Sequence, residues 1–289
     1  MDNTFRLPVI RHNLLAGIIL ATALMSVLPS MVTAQDTGLQ LYSLREQFKE
    51  NVPGTLALIR SWGITYIEGG DTYGMEQGAF IQLLQQNGLK TASIGADFNE
   101  LQQDPMAIVQ KAKAYGASYV VCFWIPHQGN EFGIENLREA IRVFEEAGKI
   151  LHENNLSLCY HPHGYEFRPY KNGTLFDYMV QKLDERYVNF ELDVFWAKQG
   201  GEDPLALLQK YPSRFLLMHL KDRQPGTEGN KNGQADVETN IVLGTGDVGI
   251  ENLVNEARRI GMKYLFIEDE SSRSPIQIPL SLDYLKTLN

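Results

Sequence analysis

Short β-branched or aromatic runs, each followed by a helical pattern, recur eight times along this 289-residue chain, and no other feature narrows its fold as far. The candidate strands are residues 39–44 (LQLYSL), 64–69 (ITYIEG), 89–95 (LKTASIG), 118–124 (SYVVCFW), 156–161 (LSLCYH), 188–194 (VNFELDV), 215–221 (FLLMHLK) and 264–269 (YLFIED). Their starts fall 25 to 49 residues apart, which leaves room for a helix between each pair. Strands joined by such crossovers run parallel. The helix boundaries carry their own signals. "SWGIT", "QNGLK", "AYGAS" and "RIGMK" each put a glycine just ahead of a strand, where a helix ends in a left-handed residue. "DPMAIVQKAKAYG" and "DPLALLQKYP" open with an N-capping aspartate and a proline at the first helical position. The most regular helical pattern is 134–153, apolar at i, i+3, i+4 and i+7. Eight βα units in roughly 250 residues is the size of an α/β fold of the (β/α)8 TIM-barrel type. A doubly wound open sheet competes with it, but that fold usually has fewer strands and a Gly-rich phosphate turn after the first. "LYSLRE" has no glycine.

The barrel is expected to begin after an export signal. Arg6 and Arg11 precede an uncharged apolar run from Leu14 to Leu28, and Val32 and Ala34 supply small residues for a cut after Ala34. Residues 1–34 therefore read as a signal peptide and 35–289 as a single barrel domain, exported and periplasmic. An uncleaved anchor would need ~20 apolar residues, more than this run offers. No second run of that length follows, so the mature chain is expected off the membrane. Cleavage removes Asp2, Arg6 and Arg11 and moves the net charge from −9 to −10. So acidic a chain lacks the Lys and Arg footprint of a nucleic-acid binder. Cys122 and Cys159 each lie in an apolar β-prone run and read as buried thiols, with a disulfide the alternative in an oxidising compartment. Residues 223–249, long and polar, break the rhythm between strand seven and its helix. Such a segment is mobile or functional, and in a barrel it would lie over the C-terminal face as a lid.

That face is where a barrel of this kind builds its active site. Strand one ends in Gln40 and Tyr42, strand two in Glu68, and strand five in His161 with His163 beyond it. Strand six carries Glu191 and Asp193, strand seven His219 and Lys221, strand eight Glu268 and Glu270. Residues two apart on a strand share a face, so these last three are same-face pairs. A single acid or histidine at a strand end is more often a cap or a surface residue. Four adjacent strands ending in His, Asp, His and Glu are a different matter, and such a mixed nitrogen and oxygen set suits Mn²⁺, Mg²⁺, Zn²⁺ or Co²⁺. Glu191 reads equally as a buried structural acid, and His127 and His152 as ordinary polar positions.

"LQLYSLRE", "YIEGG", "YHPHGYEF", "ELDVFW", "HLKD", "LGTGDVG" and "FIEDE", in that order, resemble the xylose-isomerase-like TIM-barrel family of sugar isomerases and epimerases. The resemblance implies one divalent ion held by strands five to eight, with Asp193, His219 and Glu268 as ligands. Many members carry a glutamate where this chain has His161; "HPHGYE" fits a subgroup with a His-x-His-x-x-Glu pattern. The fourth ligand is then Glu166 or His161, with Glu166 preferred because it frees a histidine for proton transfer. The chemistry implied is proton abstraction next to a carbonyl through a stabilised enediolate. His161 or His163 is the candidate base. Lys221 would hold a substrate oxygen, Gln40, Tyr42 and Glu68 would bind hydroxyls, and Trp124 and Trp196 would stack on a sugar face. Export and the want of a basic cluster point to a non-phosphorylated sugar, keto-sugar or glycoside, acted on by an isomerase or epimerase. A 3-keto-glycoside lyase or hydratase using the same site is one alternative, and a non-catalytic carbohydrate-binding barrel is another. Association into a homo-oligomer is left open.

Overall fold

Eight parallel strands close into a barrel in the computed structural model, which describes residues 1, 2, 4 and 36–288. They are β1 (Asp36–Gln40), β2 (Tyr66–Gly69), β3 (Lys90–Ala96), β4 (Tyr119–Cys122), β5 (Ser157–Tyr160), β6 (Val188–Asp193), β7 (Phe215–Leu220) and β8 (Tyr264–Ile267). Each pairs with its neighbours in sequence, and β8 pairs with β1 to close the ring. The barrel and its helices lie within one compact unit that takes in all of residues 36–288. The expected signal segment lies almost wholly outside the described residues, and so does its cut after Ala34. Among the described residues no helix is long and apolar enough to cross a membrane.

The local signals act as their chemistry requires. Asp104 and Asp203 cap helices that open with Pro105 and Pro204. Gly63, Gly88, Gly116 and Gly261 all take positive φ, between 67° and 83°, as the helix-stop reading demands. The long amphipathic helix runs Ile134–Glu153, as its spacing predicts. Strand one departs from expectation. It spans Asp36–Gln40, and Leu41–Leu44 forms a 3-10 turn instead. The Gln40 side chain accepts from the Tyr42 amide, which turns the chain off the sheet. Tyr42 therefore does not share a strand face with Gln40, and its ring lies half exposed under the Arg45 guanidinium.

Strand parity sorts the core into two layers. Ala92, Val121, Cys159, Leu217, Tyr264 and Phe266 plug the barrel interior. The opposite strand faces pack with the helices in a larger cluster that includes Leu158, Tyr160, Leu192 and Phe144. Burying one such side chain fully contributes about 1.5–3 kcal/mol. Cys122 belongs to the outer layer and Cys159 to the inner, so the two thiols face opposite sides of adjacent strands, both buried and free. With the interior plugged from below, polar side chains gather only where the strands run out.

Candidate active site at the barrel mouth

Register sets the site. Gln40 pairs with Glu68 and Glu68 with Ser93, while Asp193 pairs with His219. In two places the ladder skips a residue: Ala92 between Ile67 and Glu68, and Leu216 between Phe190 and Glu191. Both shifts fall at a buried glutamate. Irregularities of this kind re-aim side chains beside active sites.

Two imidazoles face each other across one carboxylate. Asp193 Oδ1 accepts from the amide of Trp196, capping the short helix that follows β6. Its Oδ2 is buried without a hydrogen-bond partner and lies 3.7 Å from His161 Nε2 and 3.8 Å from His219 Nδ1. Glu268 Oε2 stands 3.2 Å from the same His219 nitrogen. Each imidazole turns its other nitrogen to a carboxylate behind it. His161 Nδ1 lies 3.0 Å from Glu191 Oε2, and His219 Nε2 lies 2.6 Å from Glu68 Oε1 and 3.2 Å from Glu191 Oε2. Gln40 Nε2 donates to Glu68 at 2.7 Å and the Ser93 hydroxyl donates to its second oxygen. A carboxylate behind a ligating imidazole fixes the ring and its tautomer, as in known metal centres.

The electrostatics ask for a cation. Burial pushes the Asp193 carboxyl up to about 7, with Lys221 opposing and Glu268 adding to the rise. Burial, then Glu68, raises Glu191 well above the carboxylate range, and Glu191 Oε1 has no partner. For His219, burial disfavours the imidazolium, but Glu191, Glu268 and Glu68 outweigh it and hold its pKa high. Glu268 stays well below the usual range: burial works against ionisation there, and Lys221 and His219 overcome it. An unpartnered buried carboxylate oxygen costs free energy unless something charged meets it. His161, Asp193 and His219, with Glu268 against His219, therefore fit a divalent ion. Glu68, Glu191 and His219 form a second close group behind them.

The expected residues do not all arrive. Glu166 is not brought to this set. Its carboxylate accepts from the Tyr160 hydroxyl and, at 3.1 and 3.2 Å, from the His163 amide. Tyr160 packs on Phe144 in the outer layer, so Glu166 sits behind β5 rather than over the mouth. Burial pushes its pKa up to about 7, against the pull of the Tyr160 hydrogen bond. His161 occupies the place foreseen for either residue. Glu68, expected to bind substrate hydroxyls, is fully buried with both oxygens engaged, one of them 2.6 Å from His219 Nε2. Lys221, expected to hold a substrate oxygen, is also buried, its ammonium taken by Glu268 and Glu270 and set over Phe195 and Trp196.

His163, Gln40, Tyr42, Trp124 and Trp196 do line the cavity over the mouth. The His163 ring is flanked by Trp124 and Trp196, at 5.5 and 5.1 Å between centroids. Burial, reinforced by Lys221, lowers its pKa to about 3, so the ring is neutral. The unforeseen participants are Ser93, Phe123 and His127. Phe123 lies 5.4 Å from the His161 ring and 6.2 Å from that of His219, and His127 stacks behind Trp124 at 4.8 Å. Of these only Phe123 was legible, through its parity with Val121 on β4.

The polar segment after β7 does arch over the mouth, with Gly233, Gln234, Ala235 and Val237 lining the cavity. It is tied down rather than loose. Asp222–Arg223 pairs with Asn240–Ile241, Arg168 donates to the Lys231 carbonyl, and Lys231 donates to that of Phe167. Gly233 takes φ +74°, and a Cβ there would meet Tyr165 at 2.8 Å and Trp124 at 3.0 Å. That approach requires glycine.

Comparison with known proteins agrees with this architecture. Two inosose dehydratases of Klebsiella pneumoniae are 29% identical over 96 residues, a match spanning 32% of this chain and 31% of theirs. A sugar phosphate isomerase/epimerase from Parabacteroides distasonis superposes with a TM-score of 0.72 at 22% identity, over 90% of this chain and 98% of that one. An IOLI protein solved with a bound zinc atom superposes at 0.66 and 15% identity, over 88% and 96% of the two chains. At such identities the superpositions speak for the fold. The sequence profile of the xylose isomerase-like TIM barrel matches residues 56–288, from the helix after β1 to the end of the last helix, and the chain belongs to that family.

Proposed function

We propose that this protein is a metal-dependent enzyme that removes a proton next to the carbonyl of a non-phosphorylated sugar or keto-sugar and returns it, as an isomerase or epimerase. The observation that carries the reading is the arrangement at the mouth: two carboxylate-backed imidazoles flank the unpartnered Asp193 oxygen, with neutral His163 beside them. His161, Asp193, His219 and Glu268 would hold one divalent ion, which supplies Lewis-acid stabilisation of the charge developing on the substrate carbonyl oxygen. His163 takes the proton. Burial keeps its ring neutral, so a lone pair is free to accept the proton near neutral pH. Trp124 and Trp196 bracket the ring face and exclude water, and Tyr42 meets hydroxyls at the near wall, while Gln40 is buried with its amide engaged by Glu68 and the Tyr42 amide.

The preference for a substrate without phosphate rests on the glycine-rich turn after β7. Loops of this position often cradle a phosphate in such barrels. Here the amides of Gly244, Gly246 and Val248 already donate to the Asp222 carboxylate, at 2.9, 2.9 and 3.3 Å. An internal anion fills the place of an external one. Elimination is the second reading, favoured by the inosose dehydratases among the relatives: the same proton loss followed by departure of a β-hydroxyl or glycosyl oxygen. The N-terminal pattern supports a periplasmic setting, checked by sequencing the N-terminus of the mature protein.

The deciding experiment incubates the metal-loaded protein with a panel of keto-sugars and 3-keto-glycosides in deuterated water, read by NMR. Deuterium next to the carbonyl with an epimer or isomer supports the first reading, and released water or aglycone supports the second. Tight binding without exchange across the panel would overturn both in favour of a binding barrel.

A further inference from the structure

The cavity over the mouth is about 1480 Å³, larger than the ~300–1,000 Å³ of most small-ligand sites. One end of it is the mouth. The other reaches across the ends of β2 and β3 to the helix Pro105–Tyr115, where none of the groups described so far lies. This arm has its own polar equipment. Tyr115 is among its lining residues, only 8% exposed, and its hydroxyl is buried without a hydrogen-bond partner. Burial, with Asp71 nearby adding to it, pushes the phenol up to about 12, so it stays a neutral donor and acceptor. Lys111 stands one helical turn before it and makes no ion pair among the described residues. Its stem crosses Gly70, where a Cβ would lie 3.5 Å from the lysine Cε at a φ of +116°. Tyr73, in the same turn, keeps a φ of +51° and stacks on Phe48 at 4.0 Å.

A donor-only ammonium, an acceptor-only Asp71 carboxylate and a two-way phenol together match the alternating hydroxyls of a sugar ring. An anionic group fits poorly, because Asp97 and Glu100 line the arm beside Asp71. We propose that this arm is a subsite for a second, uncharged, hydroxylated ring, so that the substrate is a glycoside or disaccharide whose reacting ring occupies the mouth. The proposal rests on the sugar reading of the mouth and adds the size and chemistry of the leaving or retained partner ring.

Calorimetry on the full-length protein, with glucose against cellobiose, maltose and trehalose as probes, tests it. At least one disaccharide should bind ten-fold or more tighter than glucose. Lys111→Ala and Tyr115→Phe should each collapse that ratio towards one, with thermal melts confirming that both variants fold. Disaccharides no tighter than glucose, or a ratio untouched by both substitutions, would overturn the arm. The mouth fails separately. Absence of deuterium exchange on keto-monosaccharides with an intact affinity ratio would remove the enzymatic reading and leave the second-ring subsite standing.

Discussion

The two halves of the barrel mouth are built on opposite plans. Over β5 to β8 the strand ends carry imidazoles and carboxylates so closely matched that nearly every polar atom has a partner, and the exceptions, Glu191 Oε1 and Asp193 Oδ2, are buried carboxylate oxygens. Over β2 and β3 the chain is glycine-rich, turns through positive φ at Gly70, Tyr73 and Gly74, and leaves open space. The first plan fixes atoms for chemistry and the second leaves room for a ligand. Preorganised donors are effective only when their supports are rigid, whereas a subsite needs shape and a few polar handles. Glu68 and Ser93 join the plans: they stand on β2 and β3, but they face inward and serve His219.

Emptying the charged half should have the largest effect. Asp193→Ala or His219→Ala is expected to abolish metal retention and to lower turnover by about a thousand-fold or more, since the affected step depends on stabilising developing charge. Metal analysis of the purified variants beside turnover checks both parts, and wild-type protein that is active without metal would break the comparison. His163→Ala probes the same half differently. It should lower turnover by roughly 10²–10⁴-fold, the ordinary range for a general base, while the metal content stays at the wild-type level. Loss of metal in that variant would move His163 into the ligand set.

The supporting carboxylates come next. Glu191→Gln and Glu68→Gln keep the size and hydrogen-bonding reach of each side chain but replace the carboxyl group behind His161 and His219 with an amide. A fall of about 10–100-fold in metal affinity is expected for each. Competition with a chelator measures it, and affinity unchanged in both variants would mean that the carboxylates only fill space. The effect should be confined to the β5–β8 half, so the disaccharide-to-glucose affinity ratio offers an internal control.

The sequence carried the fold plainly and the site unevenly, for a physical reason. Strand and helix periods, the Asp-Pro openings and the helix-stop glycines are local signals, and each acts within a few residues of itself. Asp193 and His219 were legible because strand parity is local too, and the barrel brings adjacent strand ends together whatever else happens. Glu166 was not legible. It follows β5 through a left-handed Gly164 and a 3-10 turn, and whether such a turn aims a carboxylate over the mouth or behind the sheet depends on Tyr160 and on a helix that begins 32 residues upstream, at Ile134. Glu68 shows the same limit. Its place at a strand end was visible, but the partner that claims it, His219, lies 151 residues away.

Glu166 also yields the smallest of these effects and the one that best separates support from chemistry. Burial raises its folded pKa from 4.5 to about 7, so the folded chain holds a proton that the unfolded chain releases. A carboxyl raised in this way contributes stability that is fully present below pH 4.5 and is lost as the pH rises through about 7. With each unit worth about 1.4 kcal/mol, the difference across that window is on the order of 3 kcal/mol. Glu166→Gln keeps an acceptor for the Tyr160 hydroxyl and has no proton to lose. The variant should therefore show a flatter dependence of melting temperature on pH between 4.5 and 7 than the wild type, and its metal content should match the wild type throughout. A variant that lost its metal while keeping the wild-type pH slope would return Glu166 to the mouth and His161 to the role of base.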